Sequence, residues 1–128
     1  MKCTVKIDGK SIPLEWRGGT AIQYKRVFKQ DPIADLMAMI GLIDSKGEID
    51  PASLLNFDTE IIHRIFWTAA RVAVNFDNEL VNEDFYEFLD EFDALPIVDI
   101  LQGGMLEMLI GSMVSTKQSK NLTAPAVK

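Results

Sequence analysis

Phe57-Asp58-Thr59-Glu60-Ile61-Ile62-His63-Arg64-Ile65-Phe66-Trp67-Thr68-Ala69-Ala70-Arg71-Val72-Ala73-Val74 is the most strongly helical stretch of the chain. Ile61, Ile62, Ile65, Phe66, Ala69 and Val72 recur at helical spacing and share one broad apolar face. A face that wide has to be covered by other elements, so this is the expected central core helix, opening near Phe57-Asp58 and running to about Val74.

Upstream, residues 43–52 are polar apart from two isoleucines and read as a loop. Before them, Asp31-Pro32 gives the start of a helix, the acid as N-cap and the proline at the first helical position. Ile33, Leu36, Met37 and Ile40 then fit one buried face. Earlier still, Thr20 and Gln23 have capping-box spacing, and Ile22, Val27 and Phe28 supply a short apolar stripe. The chain opens with a β-hairpin over residues 3–16. Cys3-Thr4-Val5-Lys6-Ile7 alternates, Asp8-Gly9 turns the chain, and Ile12, Leu14 and Trp16 return at period two. Pro13 cannot donate a ladder hydrogen bond, so its strand is an edge with the nitrogen facing outward.

Downstream, Asn82 is the expected cap of a short helix in which Phe85, Phe88, Leu89 and Phe92 repeat at helical spacing. Pro96 begins a last helix carrying Ile97, Ile100, Leu101, Met105, Leu109 and Met113. Gly103-Gly104 interrupts it, which indicates a kink or a close approach by another element. The expected fold is therefore α+β and predominantly helical: an N-terminal hairpin packed on a bundle of about five helices, one domain over residues 1–115. Residues 116–128 turn polar and read as a flexible tail.

Apolar residues make up 48% and charged residues 25% of the 128-residue chain, an ordinary globular balance. The net charge of −6 hides an asymmetry: residues 1–30 carry +5, residues 31–116 carry −14, and the tail carries +3. Phosphate binding needs a basic face, so nucleic acid is not an expected partner of the body of the domain. The basic end and the acidic body leave self-association open. Cys3 is the single cysteine, and no leader pattern follows Met1; a reducing cytoplasm is the expected compartment. No membrane span is expected either. The most apolar stretch, 94–116, holds Pro96, Asp99, Gly103, Gly104 and Glu107, and its two carboxylates would cost several kcal/mol in hydrocarbon.

Catalytic and metal-binding constellations fail one by one. Aligning Gly47 with the glycine of a calcium loop puts Leu42 at position one, Lys46 at five and Ser53 at twelve, where oxygen ligands are required. His63 is the only histidine and borders an apolar face without a cysteine cluster to complete a metal site. No base stands beside a recognisable nucleophile motif. Gly18-Gly19 and Gly103-Gly104 lack a phosphate-binding fingerprint. The expected protein is non-enzymatic, with no cofactor and no metal.

Two features point to protein binding, each beside a plainer reading. Residues 77–93 hold eight acids and no Lys or Arg. They form either the solvated side of a helix or a docking surface for a basic segment. Met37, Met39, Met105, Met108 and Met113 fall in two apolar helices, with Met39 and Met108 off the inferred stripes. They either fill gaps in the core or present an adaptable surface. On the binding reading, the candidate contact residues are Glu83, Glu87, Phe88, Glu91, Met105, Met108 and Met113.

The order of these motifs resembles the short tail assembly chaperones of long-tailed bacteriophages and prophages. The likeness runs through the hairpin, the segment Tyr24-Lys25-Arg26-Val27-Phe28-Lys29-Gln30-Asp31, the helix from Phe57 to Ala70 and the acidic aromatic run from Asp84 to Phe92. A helix with a polar, Lys-containing end closes the order. Trp67 and Ala70 match a Trp-x-x-Ala-like patch. Glu87-Phe88-Leu89 stands where similar proteins carry an acidic Glu-Glu-Trp-Leu element, the Trp-to-Phe departure keeping an aromatic anchor. The resemblance implies a helper in the host bacterial cytoplasm, absent from the mature virion. It would keep the tape measure protein soluble and recruit the major tail protein during tube assembly. It also implies oligomerisation, a longer frameshifted form, and no catalytic residues. A structural connector or tail-completion protein is the alternative.

Overall fold

The structure, a computed structural model, describes residues 1–114, with side chains as far as Ser112. The expected tail at 116–128 lies outside the described residues. The architecture is α+β and mostly helical. Strands β1 (Lys2–Ile7) and β2 (Lys10–Glu15) precede helices α1 (Thr20–Phe28), α2 (Pro32–Ile40), α3 (Pro51–Leu55), α4 (Glu60–Ala73) and α5 (Phe85–Asp90). The last described element is an interrupted helix: α6 (Ile97–Ile100), a kinked segment at Leu101–Met105, and α7 (Leu106–Val114). Among the described residues no helix is long and apolar enough to cross a membrane.

Asp8 and Gly9 both take positive φ, at 53° and 76°, the conformation a two-residue turn needs to match the strand twist. Hydrogen-bonded pairs alternate outward from Ile7↔Lys10, so Thr4↔Pro13 falls on a non-hydrogen-bonded position and the missing proline N–H costs no ladder bond. Val5, Ile7, Leu14 and Trp16 occupy one face and are buried. β2 lays that face on α4, and β1 lays it on the kinked segment at Leu101–Met105.

Helix α4 is central, as its apolar breadth demands. Ile62, Ile65, Phe66, Ala69, Ala70 and Val72 are all buried. Its end is closed by two left-handed residues: Asn75 N–H donates to the Val72 carbonyl (3.0 Å) and Phe76 N–H to the Arg71 carbonyl (2.8 Å). That pairing is a Schellman cap with asparagine in the place of the usual glycine.

Several local expectations change. The Thr20 capping box does not form, because the Thr20 hydroxyl turns back to accept the Arg17 N–H (2.8 Å) and Gly19 stands at the N-cap. Ile22 and Val27 face outward, while Thr20 and Tyr24 are the buried residues of α1. In α2, Asp31 caps as expected, accepting from Ile33 N–H (2.9 Å) ahead of Pro32. Its buried face, however, is Pro32, Asp35, Leu36 and Met39, leaving Ile33 and Met37 each 55% exposed. The helix is turned because Asp35 is drawn inward. Tyr24 Oη donates to Asp35 Oδ2 (2.5 Å), and Arg64 donates to both Tyr24 Oη (3.0 Å) and Asp35 Oδ2 (3.4 Å). Within the expected loop at 43–52, Asp44 Oδ1 accepts the N–H groups of Lys46 and Glu48 (2.8 and 3.0 Å), and Ile43 bridges Ile49. Asp50 and Pro51 then repeat the acid–proline start to open α3.

The Gly103-Gly104 pair does both things open to it. Gly104 has φ 125°, breaking the helix, and a Cβ there would stand 3.2 Å from the Cys3 Cβ of β1. A Cβ at Gly103 would lie 3.6 Å from Val5 Cγ1, ordinary contact. The hairpin therefore sits against bare backbone.

Candidate functional site

The acidic segment 77–93 is held to α4 by two side chains. Trp67 Nε1 donates to the Asn82 carbonyl (2.9 Å). Arg71 Nη1 donates to Asn78 Oδ1 (2.7 Å) and the Val81 carbonyl (2.8 Å), its guanidinium lying over the rings of Trp67 and Phe76. Within the segment, short side chains fix the turns. Asp77 Oδ1 accepts Glu79 N–H, and Asn82 Oδ1 accepts Asp84 N–H (2.9 and 2.8 Å). Asp84, not Asn82, is the N-cap of α5, accepting Glu87 N–H (2.9 Å). Asn82 acts one turn earlier, which brings Asp84 into the capping position.

The α5 stripe anchors this segment. Phe88 and Phe92 pack on Phe66, with ring centroids 5.6 and 6.3 Å away. Phe85 meets Phe28 and Trp67 edge-on at 5.1 and 5.7 Å. All eight carboxylates at 77–93 are exposed, and among the described residues none is in an ion pair.

The candidate contact residues thus divide. Glu83, Glu87 and Glu91 are exposed on one acidic surface. Phe88 is 3% exposed and belongs to the core, so it holds the surface in place and is not available to a partner. Met105 and Met108 are buried as well, Met108 at 2%. The kink at Gly104, where the backbone leaves helical geometry, resets the phase of the apolar stripe, and Met108 faces inward beside Leu109. Met39 is buried by the turning of α2, while Met37 remains exposed. The side chain of Met113 lies outside the described residues.

An open cleft of about 380 Å³ lies between α1, α4 and α5. Phe28, Trp67 and Phe85 form its aromatic wall, Tyr86 its rim, and Glu60, Glu83 and Asp84 its acidic margin. Tyr86 is 72% exposed, with its ring 5.2 Å from Phe85. Behind the wall sits the Tyr24–Asp35–Arg64 network, extended outward by Arg64 Nη1 donating to Glu60 Oε2 (2.6 Å). Burial, aided by the hydrogen bond to Asp35, pushes the Tyr24 hydroxyl well above its ordinary range against the opposing pull of Arg64. Burial pulls Arg64 down, but its bonds to Tyr24 and Glu60 and the Asp35 charge outweigh this and hold its guanidinium protonated. The network ties α1, α2 and α4 together. Tyr24 is sealed from solvent, and Glu60 is the exposed end of the network.

His63 borders the core as expected, its Nδ1 2.8 Å from the Thr59 carbonyl. Among the described residues no three His, Cys, Asp or Glu side chains are grouped to hold a metal ion. Sequence reasoning missed Tyr24, Phe28, Arg64, Arg71 and Tyr86 as parts of the site. The one local signal was Tyr86, the aromatic of α5 that falls off the Phe85/Phe88/Leu89/Phe92 stripe. No protein-family model, no curated protein and no solved structure matches the chain.

Proposed function

We propose that the chain is a non-enzymatic tail assembly chaperone of a long-tailed bacteriophage or prophage. It acts in the host cytoplasm, keeps the tape measure protein soluble and recruits the major tail protein. The phage assignment rests on the order of sequence motifs. The binding role rests on one observation: eight exposed carboxylates, none in an ion pair among the described residues, on a segment anchored to the core by Trp67, Arg71, Phe88 and Phe92. A surface charged this way attracts basic segments over a distance of about 10 Å, the screening length at moderate salt, and orders their approach. The basic outer side of α1, with Lys25, Arg26 and Lys29 exposed, gives a second copy a complementary contact and supports self-association.

Co-expression with a tape measure fragment tests the reading. The fragment should become soluble and co-purify with the chain; unchanged solubility and no co-purification would overturn the proposal. Mass spectrometry of purified virions should find the chain absent, whereas a stoichiometric amount would favour a connector or tail-completion role.

A further inference from the structure

We propose that the cleft between α1, α4 and α5 receives a single arginine side chain from a partner polypeptide. This inference rests on the reading that the acidic surface binds a protein client, and it assigns that surface a specific receptor point.

The walls supply π-faces and the margin supplies charge. Phe28, Trp67 and Phe85 stand edge to face at 5.1 to 5.7 Å, and the exposed Tyr86 ring extends the group toward solvent. The molecule already shows what these rings accept. The Arg64 guanidinium lies 5.9 Å over Phe28 from inside, and that of Arg71 lies 5.9 Å over Trp67. No Lys or Arg of the described residues takes the corresponding place over Phe85 or Tyr86. Arg64 does not repel an incoming cation strongly, because Asp35 and Glu60 pair with it at 3.4 and 2.6 Å. Glu83 and Asp84 then leave the margin net negative.

Arginine fits better than lysine. Its planar, weakly hydrated guanidinium stacks on aromatic faces and can fork onto a carboxylate at the same time. The cleft volume of about 380 Å³ lies near the lower end of ligand pockets, roughly 300–1,000 Å³, which suits one long side chain. From Asp84 the exposed carboxylates continue to Glu87 and Glu91, one helical turn apart along α5. A segment with further basic residues at three- or four-residue spacing matches that row, which free arginine does not.

The test uses a synthetic amphipathic peptide of basic residues at four-residue spacing with a central arginine, and the same peptide with citrulline or lysine at the centre. Calorimetry at low salt gives affinity, and nitrogen-edited NMR follows the Trp67 indole N–H. The arginine peptide should bind about tenfold tighter than the citrulline peptide, with lysine between, and should shift the Trp67 signal. Tyr86→Ala, at an exposed position, should weaken the arginine peptide about three- to tenfold and leave the citrulline peptide unchanged, while Glu83→Gln should weaken the arginine peptide by more than it weakens the citrulline peptide. Equal affinity for arginine and citrulline peptides, or shifts that avoid Trp67, would overturn the inference. The two readings separate cleanly. Arginine-selective binding at Trp67 with no effect on the tape measure fragment sinks the chaperone role and keeps the cleft. Full solubilisation of the fragment together with equal peptide affinities does the reverse.

Discussion

Gly104 and Tyr24 are the two residues whose roles depend most on distant neighbours. At Gly104 a side chain meets both a left-handed backbone, φ 125°, and the Cys3 Cβ at 3.2 Å. Gly104→Ala should therefore destabilise the fold by about 1–3 kcal/mol. Gly103→Ala, whose Cβ finds only ordinary contact with Val5, should change it by less than about 1 kcal/mol. Urea unfolding of the pair checks this, and equal midpoints would refute the close-approach account. Tyr24 predicts a pH dependence. Its folded pKa is raised by burial and by the hydrogen bond to Asp35, so the folded state keeps a proton that the unfolded chain loses near the ordinary tyrosine value of about 10. The contribution is complete below about pH 10 and is lost as pH rises toward the folded value. Urea midpoints should fall above pH 10. Tyr24→Phe should lower stability at pH 8 by about 1–3 kcal/mol, by leaving buried partners unsatisfied, and should flatten the alkaline decline. An unchanged slope would remove Tyr24 as its source.

The elements were readable from the sequence where their signals are local. Asp8-Gly9, Asp31-Pro32 and the period of α4 involve residues in contact along the chain, and each gives the expected turn, cap or core helix. Helix faces were less legible. The rotation of α1 and α2 follows from Tyr24, Asp35 and Arg64, partners separated by 11, 29 and 40 residues, and a hydrophobic count assigns such polar residues outward. Arg71 works in the same long-range way on the segment after α4, joining it to Asn78 and Val81. Arg71→Met keeps most of the packed stem but loses both donors. Hydrogen exchange should then quicken at residues 77–83, with stability lower by about 1–3 kcal/mol. Unchanged exchange in that stretch would show that Trp67 and the α5 aromatics suffice to hold it.

At the scale of the whole molecule, charge is distributed along the chain and also in space. The −14 of residues 31–116 is concentrated in the exposed 77–93 surface, on the α5 side of the core. Reversal to lysine at Glu83, Glu87 and Glu91 should slow association with a basic client at least tenfold at 50 mM salt. The difference should shrink as salt rises, because steering is screened. Stopped-flow mixing measures both effects; equal rates for the two proteins at low salt would take the acidic surface out of the mechanism.

The sequence by itself determined the α+β class, the hairpin register, the caps at Asp31 and the core position of α4. It also determined the acidic character of 77–93. Each follows from interactions between near neighbours or from a sum over side chains. Tertiary structure alone decided which methionines face inward, where Gly104 lets β1 approach, and how Phe28, Trp67, Phe85 and Tyr86 come to border one acidic cleft. Those outcomes depend on helix rotation. Rotation is set where buried polar groups must find partners, and the partners here lie on different elements.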